Sequence, residues 1–440
     1  MTALRLIIPD QTDYRAAIDG LCALLRQGEL TSHDGSSGGS VEDIVRNILA
    51  EVKAGGDAAA ARLGSKLDGA ELSAAQLRVP EEALLRAHRE ADPELMALLR
   101  RAAANVEAYQ RHILWKSPEP LTRGGRRLGV RYTPLRRVAV YVPGGRALYP
   151  STVLMTVVPA CVAGVREIAM FSPPKAGEIA PLALALAWEL GVREVYRLGG
   201  AVGLAAAAFG TETIAAVDKI VGPGNAFVAE AKRQLFGRVG IDSIAGPSEV
   251  FIVADDSADP AWVAADLLAQ AEHDPGSAIL ATPSRSLAER VASELERQLA
   301  LLERGQAARR CIERYGAAIV TRDLNHACAL ANQFATEHLQ IITREDERCL
   351  SQIENAGAIF VGAHTPVPLG DYYAGPSHVL PTGGTARFSA PLSCNDFLKV
   401  SSLIHYTEAD LRADASDVIA FAEREGLTAH ARAVAIRTRS

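Results

Sequence analysis

The sequence predicts an α/β protein made of two successive Rossmann-like parallel-sheet units, with a mostly helical N-terminal region and a small helical C-terminal segment. Three observations predict it. The chain has 440 residues, of which 48% are hydrophobic, more than one ordinary core needs. RVAVYV (137–142) and FIVAD (251–255) are continuous apolar runs, as strands covered on both faces require. Such runs alternate with helix-like stretches across short loops, twice in succession, which is the pattern of parallel strands joined by crossover helices.

Residues 1–137 form the N-terminal region, expected to pack with the second α/β unit. TSHDGSSGGS (31–40) reads as a loop ending in an N-cap at Ser40, ahead of a helix from Val41 to Val52 that Gly55-Gly56 stops. Further helices start near Pro80 and Pro93, where proline suits a first turn. Gly124-Gly125, within Arg123 to Arg127, marks a turn between short strands. The first unit, 138–248, alternates RVAVYV, a helix to about Ala163, EIAMFS, PLALALAWEL, EVYRL, LAAAAFG and DKIVG. The second, 249–390, alternates FIVAD, a helix from Pro260 to Glu272 capped by Asp259, AILATP, a long helix from Ser286 to Leu302, AAIVT, a helix from Asn325 to Ala335, LQIIT and AIFVG. From Pro391 the chain reads as helical with charged faces, a segment suited to packing on a neighbour.

Composition excludes several functions. The formal net charge of -6, with no basic cluster interleaved with aromatics, argues against a nucleic-acid partner. The N-terminal apolar run meets Pro9 and Asp10 too soon for a signal peptide, and Glu189 interrupts the most apolar helix, so no membrane segment is expected. A soluble, cytoplasmic protein follows. Six cysteines stand apart without a CxxC pair, which disfavours structural zinc on thiolates and a disulfide scaffold.

The dinucleotide fingerprint GxGxxG is absent. Three glycine turns, YVPGG (141–145), LGG (198–200) and VGPGNAF (221–227), each lie between a strand and a helix, where backbone amides can approach a phosphate. Any one of them alone reads more readily as a tight connection between strand and helix. Gln270 and His273, three apart near a helix end, share a face that could offer an amide oxygen and an imidazole to a metal. On spacing alone a solvated helix end fits as well. Glu337-His338 lies at a helix-to-strand switch, a place where α/β folds hold ligands, or is simply a surface pair. Asp371 and His378 fall in the long irregular stretch 368–389, and irregular stretches of that length in compact proteins are usually functional. His430 follows Glu425 near the C-terminus. Two imidazoles, a carboxylate and an amide from Gln270, His273, Asp371 and His430 would suit Zn²⁺ with room left for a substrate, but spacing does not bring them together.

GPSEV (246–250), AQAEHDP (269–275), EHL (337–339), GDYYAGPSHVLPTGGTARFS (370–389) and EGLTAH (425–430), with YVPGG, PSTVLM (150–155) and GPGNAF, occur in an order and spacing that closely resemble the histidinol dehydrogenase family from about residue 40 onward. The resemblance implies an NAD-linked, zinc-dependent oxidation of L-histidinol through L-histidinaldehyde to L-histidine, in histidine biosynthesis. It implies zinc on Gln270, His273, Asp371 and His430. Those residues, with Ser248, His338, His378 and Glu425, would hold the substrate. Glu337 and His338 would be the acid-base pair, and Tyr141 and Asn225 would line the NAD site. It also implies an intertwined homodimer in which Glu425 and His430 complete the neighbour's site. The family usually reads GGAQAIAA where this chain reads GGAVGLAA, so Val202 replaces a glutamine at the cofactor site, a loss of about 1 kcal/mol or more. GPSH, with Ser377, and LSCNDF (392–397) also depart from the usual form. The alternatives are a paralogous dehydrogenase for another small amino or hydroxy alcohol, a zinc hydrolase, and a non-catalytic binding protein.

Overall fold

The computed structural model describes residues 3–26, 40–144, 149–273 and 275–438. Residues 31–39 of the expected N-terminal loop, Gly145 of YVPGG and Asp274 of AQAEHDP lie outside them.

The first unit is a five-stranded parallel sheet in the order Glu194–Tyr196, Glu167–Phe171, Arg137–Tyr141, Lys219–Val221, Gly240–Ile241. Successive side chains of a strand face opposite ways. Val138 and Val140 thus join a core with helices Pro150–Ala163 and Pro181–Glu189, while Ala139 and Tyr141 join one with Gly200–Phe209 and Ala226–Leu235. From Arg137–Tyr141 the chain winds outward on one side, then returns to lay Lys219–Val221 on the other. This reversal opens a crevice at the carboxyl ends of those two strands.

The second unit is a six-stranded parallel sheet in the order Arg5–Ile7, Gly316–Val320, Gly276–Thr282, Ser248–Ala254, His338–Ile342, Ala358–Val361. Val250 and Ile252 face helices Pro260–Ala271 and Arg285–Leu299; Phe251 and Val253 face Tyr14–Arg26 and Leu324–Phe334.

Three expectations change. The N-terminal region does not pack as a whole on the second unit. Arg5–Ile7 is an edge strand there, but helices Val41–Asp68, Glu81–Glu90 and Pro93–Ile113 pack on helices of the first unit. An amphipathic stripe states that a face is buried, not which surface covers it. Gly55-Gly56 kinks the first of these helices rather than ending it: Gly56 has φ +53, and the helix resumes to Asp68. Finally, the region after Pro391 is not all helix. Leu398–His405 is a strand, antiparallel to Arg126–Pro134, which also pairs with Leu121–Arg123. Its partner lies more than 260 residues away, beyond the reach of local periodicity. Helices Glu408–Arg424 and Thr428–Thr438 follow, the former tied to the strand turn by Arg126–Asp414 at 2.6 Å.

Among the described residues no disulfide joins the cysteines, and no helix is long and apolar enough to cross a membrane.

Candidate active site

Glu337 and His338 lie at the amino-terminal edge of the second sheet, where His338 is in register with Val250 of the neighbouring strand. The sequence reading placed this pair where α/β folds hold ligands, but that rule concerns carboxyl ends, so the edge is corrected. Both side chains are buried. His338 Nδ1 donates to the Glu249 carbonyl oxygen (3.1 Å), which sets the tautomer and leaves Nε2 as the proton-exchanging atom. Nε2 is buried without a hydrogen bond, 3.5 Å from Asp371 Oδ1. Glu337 Oε2 accepts from the Glu249 backbone N–H (3.0 Å) and lies 3.5 Å from His338 Nδ1.

Electrostatics separate these groups. Burial pushes the Glu337 carboxyl up, against the opposing pull of His338. Burial alone would lower His338, but the Glu337 and Asp371 carboxylates outweigh it and raise the imidazole to about 9. Burial works to raise Asp371, yet His338, His378 and His273 together hold it below its ordinary value. Five titratable groups whose charges answer one another in a recess are typical of a catalytic centre.

The segment 368–389 supplies the facing wall. Asp371 is in the short helix Val367–Tyr372, which packs on Pro260–Ala271, the helix that carries Gln270 in its last turn. His378 Nδ1 donates to the Asp371 carbonyl (2.9 Å), and its Nε2 lies 3.4 Å from the Thr152 hydroxyl at the start of a first-unit helix. Ser377, unusual in the motif, donates to the Met155 carbonyl (3.1 Å) and accepts from Val379 N–H (3.2 Å). It anchors the loop to the first unit. The nearby Ser248 side chain pulls the Glu337 carboxyl downward, a smaller effect than burial.

Gln270 is 3% exposed and its Nε2 has no hydrogen-bond partner. Leaving a buried amide so costs about 1–3 kcal/mol, and turning it over would direct an oxygen the same way. His273 is open to solvent, yet crowded enough that desolvation lowers its pKa. Its open surface governs access and the crowding governs its charge. Imidazole, carboxylate and an unengaged amide on one wall fit the ligand chemistry of zinc. The set is incomplete within this chain. Among the described residues no group of three or more His, Cys, Asp or Glu could hold a metal. Glu425 and His430 are exposed on the C-terminal helices, and among the described residues no hydrogen bond or ion pair joins their side chains to Gln270, His273 or Asp371.

At the first unit's crevice, the predicted cofactor residues are less free than expected. Tyr141 is buried and its hydroxyl accepts from Gly200 N–H (3.1 Å); burial pushes the phenol up to about 12. It positions the start of helix Gly200–Phe209 rather than offering a free hydroxyl. Val202, one turn in, is 1% exposed among apolar neighbours. Asn225 is exposed, but its carboxamide oxygen caps helix Ala226–Leu235 by accepting from Phe227 and Val228 N–H (3.1 and 3.2 Å). A cleft of about 390 Å³ opens at the same edge, lined by Val142, Pro143, Gly144, Ser172 and Pro173.

Two features escaped the sequence reading. Glu249 lies inside GPSEV, beside the quoted Ser248, and that position was its only signal. Lys232 and Asp242, 2% and 3% exposed, form an ion pair at 2.5 Å beneath the GPGNAF turn. Lys232 also donates to the Gly222 carbonyl (2.5 Å), while Asp242 accepts from Gly222 N–H (2.7 Å).

A sequence profile described as histidinol dehydrogenase matches residues 32–438. The histidinol dehydrogenase of Rhodopirellula baltica is 54% identical over 397 residues, covering 90% of this chain and 86% of that protein. That of Geobacillus kaustophilus is 50% identical over 395 residues, covering 89% and 93%. The crystal structure of histidinol dehydrogenase from Elizabethkingia anophelis superposes with a TM-score of 0.90 at 31% identity, covering 99% of this chain and 98% of that one. Profile, relatives and fold agree across nearly the whole length, and the chain belongs to the histidinol dehydrogenase family.

Proposed function

We propose that this chain oxidises L-histidinol through L-histidinaldehyde to L-histidine, as a zinc-dependent, NAD-linked enzyme of histidine biosynthesis in the cytoplasm. The observation that carries the reading is the buried His338, tied by Nδ1 to a carbonyl and presenting Nε2 towards Asp371, with Glu337 beside it. Gln270, His273 and Asp371 would hold zinc, with His430 reaching in from a second copy of the chain. Bound zinc would supply a Lewis acid that orients the substrate, and bound NAD a hydride acceptor.

The chain's own residues divide the proton work. His338 Nε2, in its neutral form, takes the alcohol proton as hydride leaves the adjacent carbon. Glu337 takes a proton from the water that attacks the aldehyde carbon. As water adds, His338 returns its proton to the aldehyde oxygen, and the neutral ring then accepts the hydroxyl proton of the hydrate in the second oxidation, while the proton on Glu337 leaves to solvent. The dimer is supported by the C-terminal arm, which exposes Leu403, Ile404, Val418, Phe421 and Ile436. Apolar surface of that kind marks an association face, and the arm carries the two site residues that this chain leaves outside its own cleft.

Purified protein with L-histidinol and NAD is expected to yield two NADH per histidinol, with activity lost to a chelator and restored by zinc. One NADH per histidinol, or full activity after chelation, would overturn the reading. Absence of NAD binding by calorimetry would point instead to a zinc hydrolase.

Val202 favours one second reading, a paralogue with a modified cofactor site acting on another amino alcohol. A panel of alcohols scored by NADH formation separates the two. Val202→Gln is expected to tighten NAD binding about fivefold or more, the yield of one regained hydrogen bond. In the free protein it should lower the melting temperature, because the new amide is buried without a partner, and NAD should restore it. Unchanged affinity by calorimetry would remove Val202 from the cofactor site.

A further inference from the structure

We propose that Glu249 is a positioning residue that aligns the Glu337–His338 pair and locks it to the substrate-side loop. The inference rests on the acid-base roles proposed above.

Glu249 and Glu337 are neighbours at the amino ends of adjacent parallel strands, and each carboxylate caps the other's backbone. Glu337 Oε2 accepts from Glu249 N–H (3.0 Å) and Glu249 Oε2 accepts from Glu337 N–H (3.3 Å). Strand edges at this end of a sheet present N–H groups that the ladder does not use, and a buried one needs a partner. The second oxygen of Glu249, Oε1, accepts from Gly383 N–H (3.1 Å) in the loop that also carries Asp371 and His378. Its carbonyl receives His338 Nδ1–H (3.1 Å). One residue therefore touches the backbone of the water-activating group, the ring of the proton-exchanging group and the facing wall.

Its environment makes the arrangement costly. Glu249 is 1% exposed, and burial together with the Glu337 charge pushes its carboxyl up, against the pull of the Gly383 and Glu337 N–H groups that favour the carboxylate. Two carboxyl groups in one dry pocket repel each other, and an apolar edge without carboxyl groups would avoid that cost. What the carboxylate adds is two acceptors directed at two N–H donors on separate segments, which a single neutral amide cannot reproduce. Glutamine keeps the shape but turns an NH₂ donor towards either Glu337 N–H or Gly383 N–H. Side chains of this kind act on rate by holding reacting groups within a fraction of an ångström.

The test is a double-mutant cycle between Glu249→Gln and Glu337→Gln, with L-histidinol and L-histidinaldehyde supplied separately. Glu249→Gln alone is expected to lower kcat for aldehyde oxidation about 10- to 100-fold, part of the 10²- to 10⁴-fold that a general base contributes. KM for the aldehyde should stay within about twofold, and zinc content and NAD affinity by calorimetry should be unchanged. In the Glu337→Gln background the same substitution should cost less than about threefold, because the group it positions is already gone. Unchanged kcat, or losses that multiply across the two sites, would overturn the proposal. A loss of zinc or a rise in KM in place of the kcat effect would also overturn it, as a sign of general structural damage. Glu249→Asp, which keeps the charge but withdraws it by one methylene, goes through the same cycle if Glu249→Gln does not fold. If the unmodified protein does not oxidise histidinol, the proposed function fails, a result distinct from an inert Glu249→Gln in an active enzyme.

Discussion

Glu337→Gln is expected to slow aldehyde oxidation by about 10²- to 10⁴-fold while alcohol oxidation falls by less than about tenfold. The substitution conserves shape. The glutamine oxygen can still accept from Glu249 N–H, the bond that now holds Glu337 Oε2 at 3.0 Å, so the strand edge remains in place. What is lost is the capacity to take a proton from water. Burial already pushes the Glu337 carboxyl upward, towards the range where a carboxylate is an effective base near neutral pH. In the proposed mechanism the first oxidation needs no water and its proton goes to His338, whose tautomer is fixed by the Glu249 carbonyl rather than by Glu337. Single-turnover measurements with L-histidinol and with L-histidinaldehyde read the two halves separately. Equal losses in both would remove the division of labour.

Lys232→Met is expected to destabilise the protein by about 3–5 kcal/mol, the usual result of leaving one member of a buried ion pair unpartnered. The side chains of Lys232 and Asp242 are 2% and 3% exposed, so water cannot take over for the missing ammonium. The damage should concentrate at the GPGNAF turn, because both polar groups of Gly222 depend on the pair. The turn has little freedom to adjust. Gly222 has φ +118, and a side-chain carbon there would lie 2.2 Å from the Tyr141 carbonyl oxygen. A higher KM for NAD should accompany the lower melting temperature. Lys232→Met combined with Asp242→Leu should recover part of the stability, since removing both charges leaves no buried unpaired ion, although Gly222 still loses its partners. A double variant as unstable as the sum of its two single variants would exclude this account.

Much of the site was legible as residue types in distinctive strings, and much of its working was not. Gln270 and His273 read correctly as neighbours at a helix end, whereas of the stretch read as irregular, Asp371 lies in the short helix Val367–Tyr372 and His378 in the loop after it. Nothing in that spacing shows that Asp371 faces His338 at 3.5 Å, or that Gln270 is buried with an unengaged amide. Tyr141 reads as a cofactor contact, while its hydroxyl is spent on Gly200 N–H. Lys232 drew no notice in the sequence; its burial in helix Ala226–Leu235 appears only with the return of Asp242 beneath it.

By itself the sequence determined the alternation of strands and helices, the caps at Ser40 and Asp259, and the motifs that mark the family. These depend on interactions within a few residues: backbone preference, side-chain period and local hydrogen bonds. Only the tertiary structure decided that the N-terminal helices divide between two sheets and that Leu398–His405 is a strand. It also decided that Glu337 and His338 sit at an amino-terminal edge, bound to Glu249 across adjacent strands. Those outcomes follow from burial and pairing between segments about ninety to several hundred residues apart. Their free energy belongs to the assembled surfaces and to no single stretch of chain.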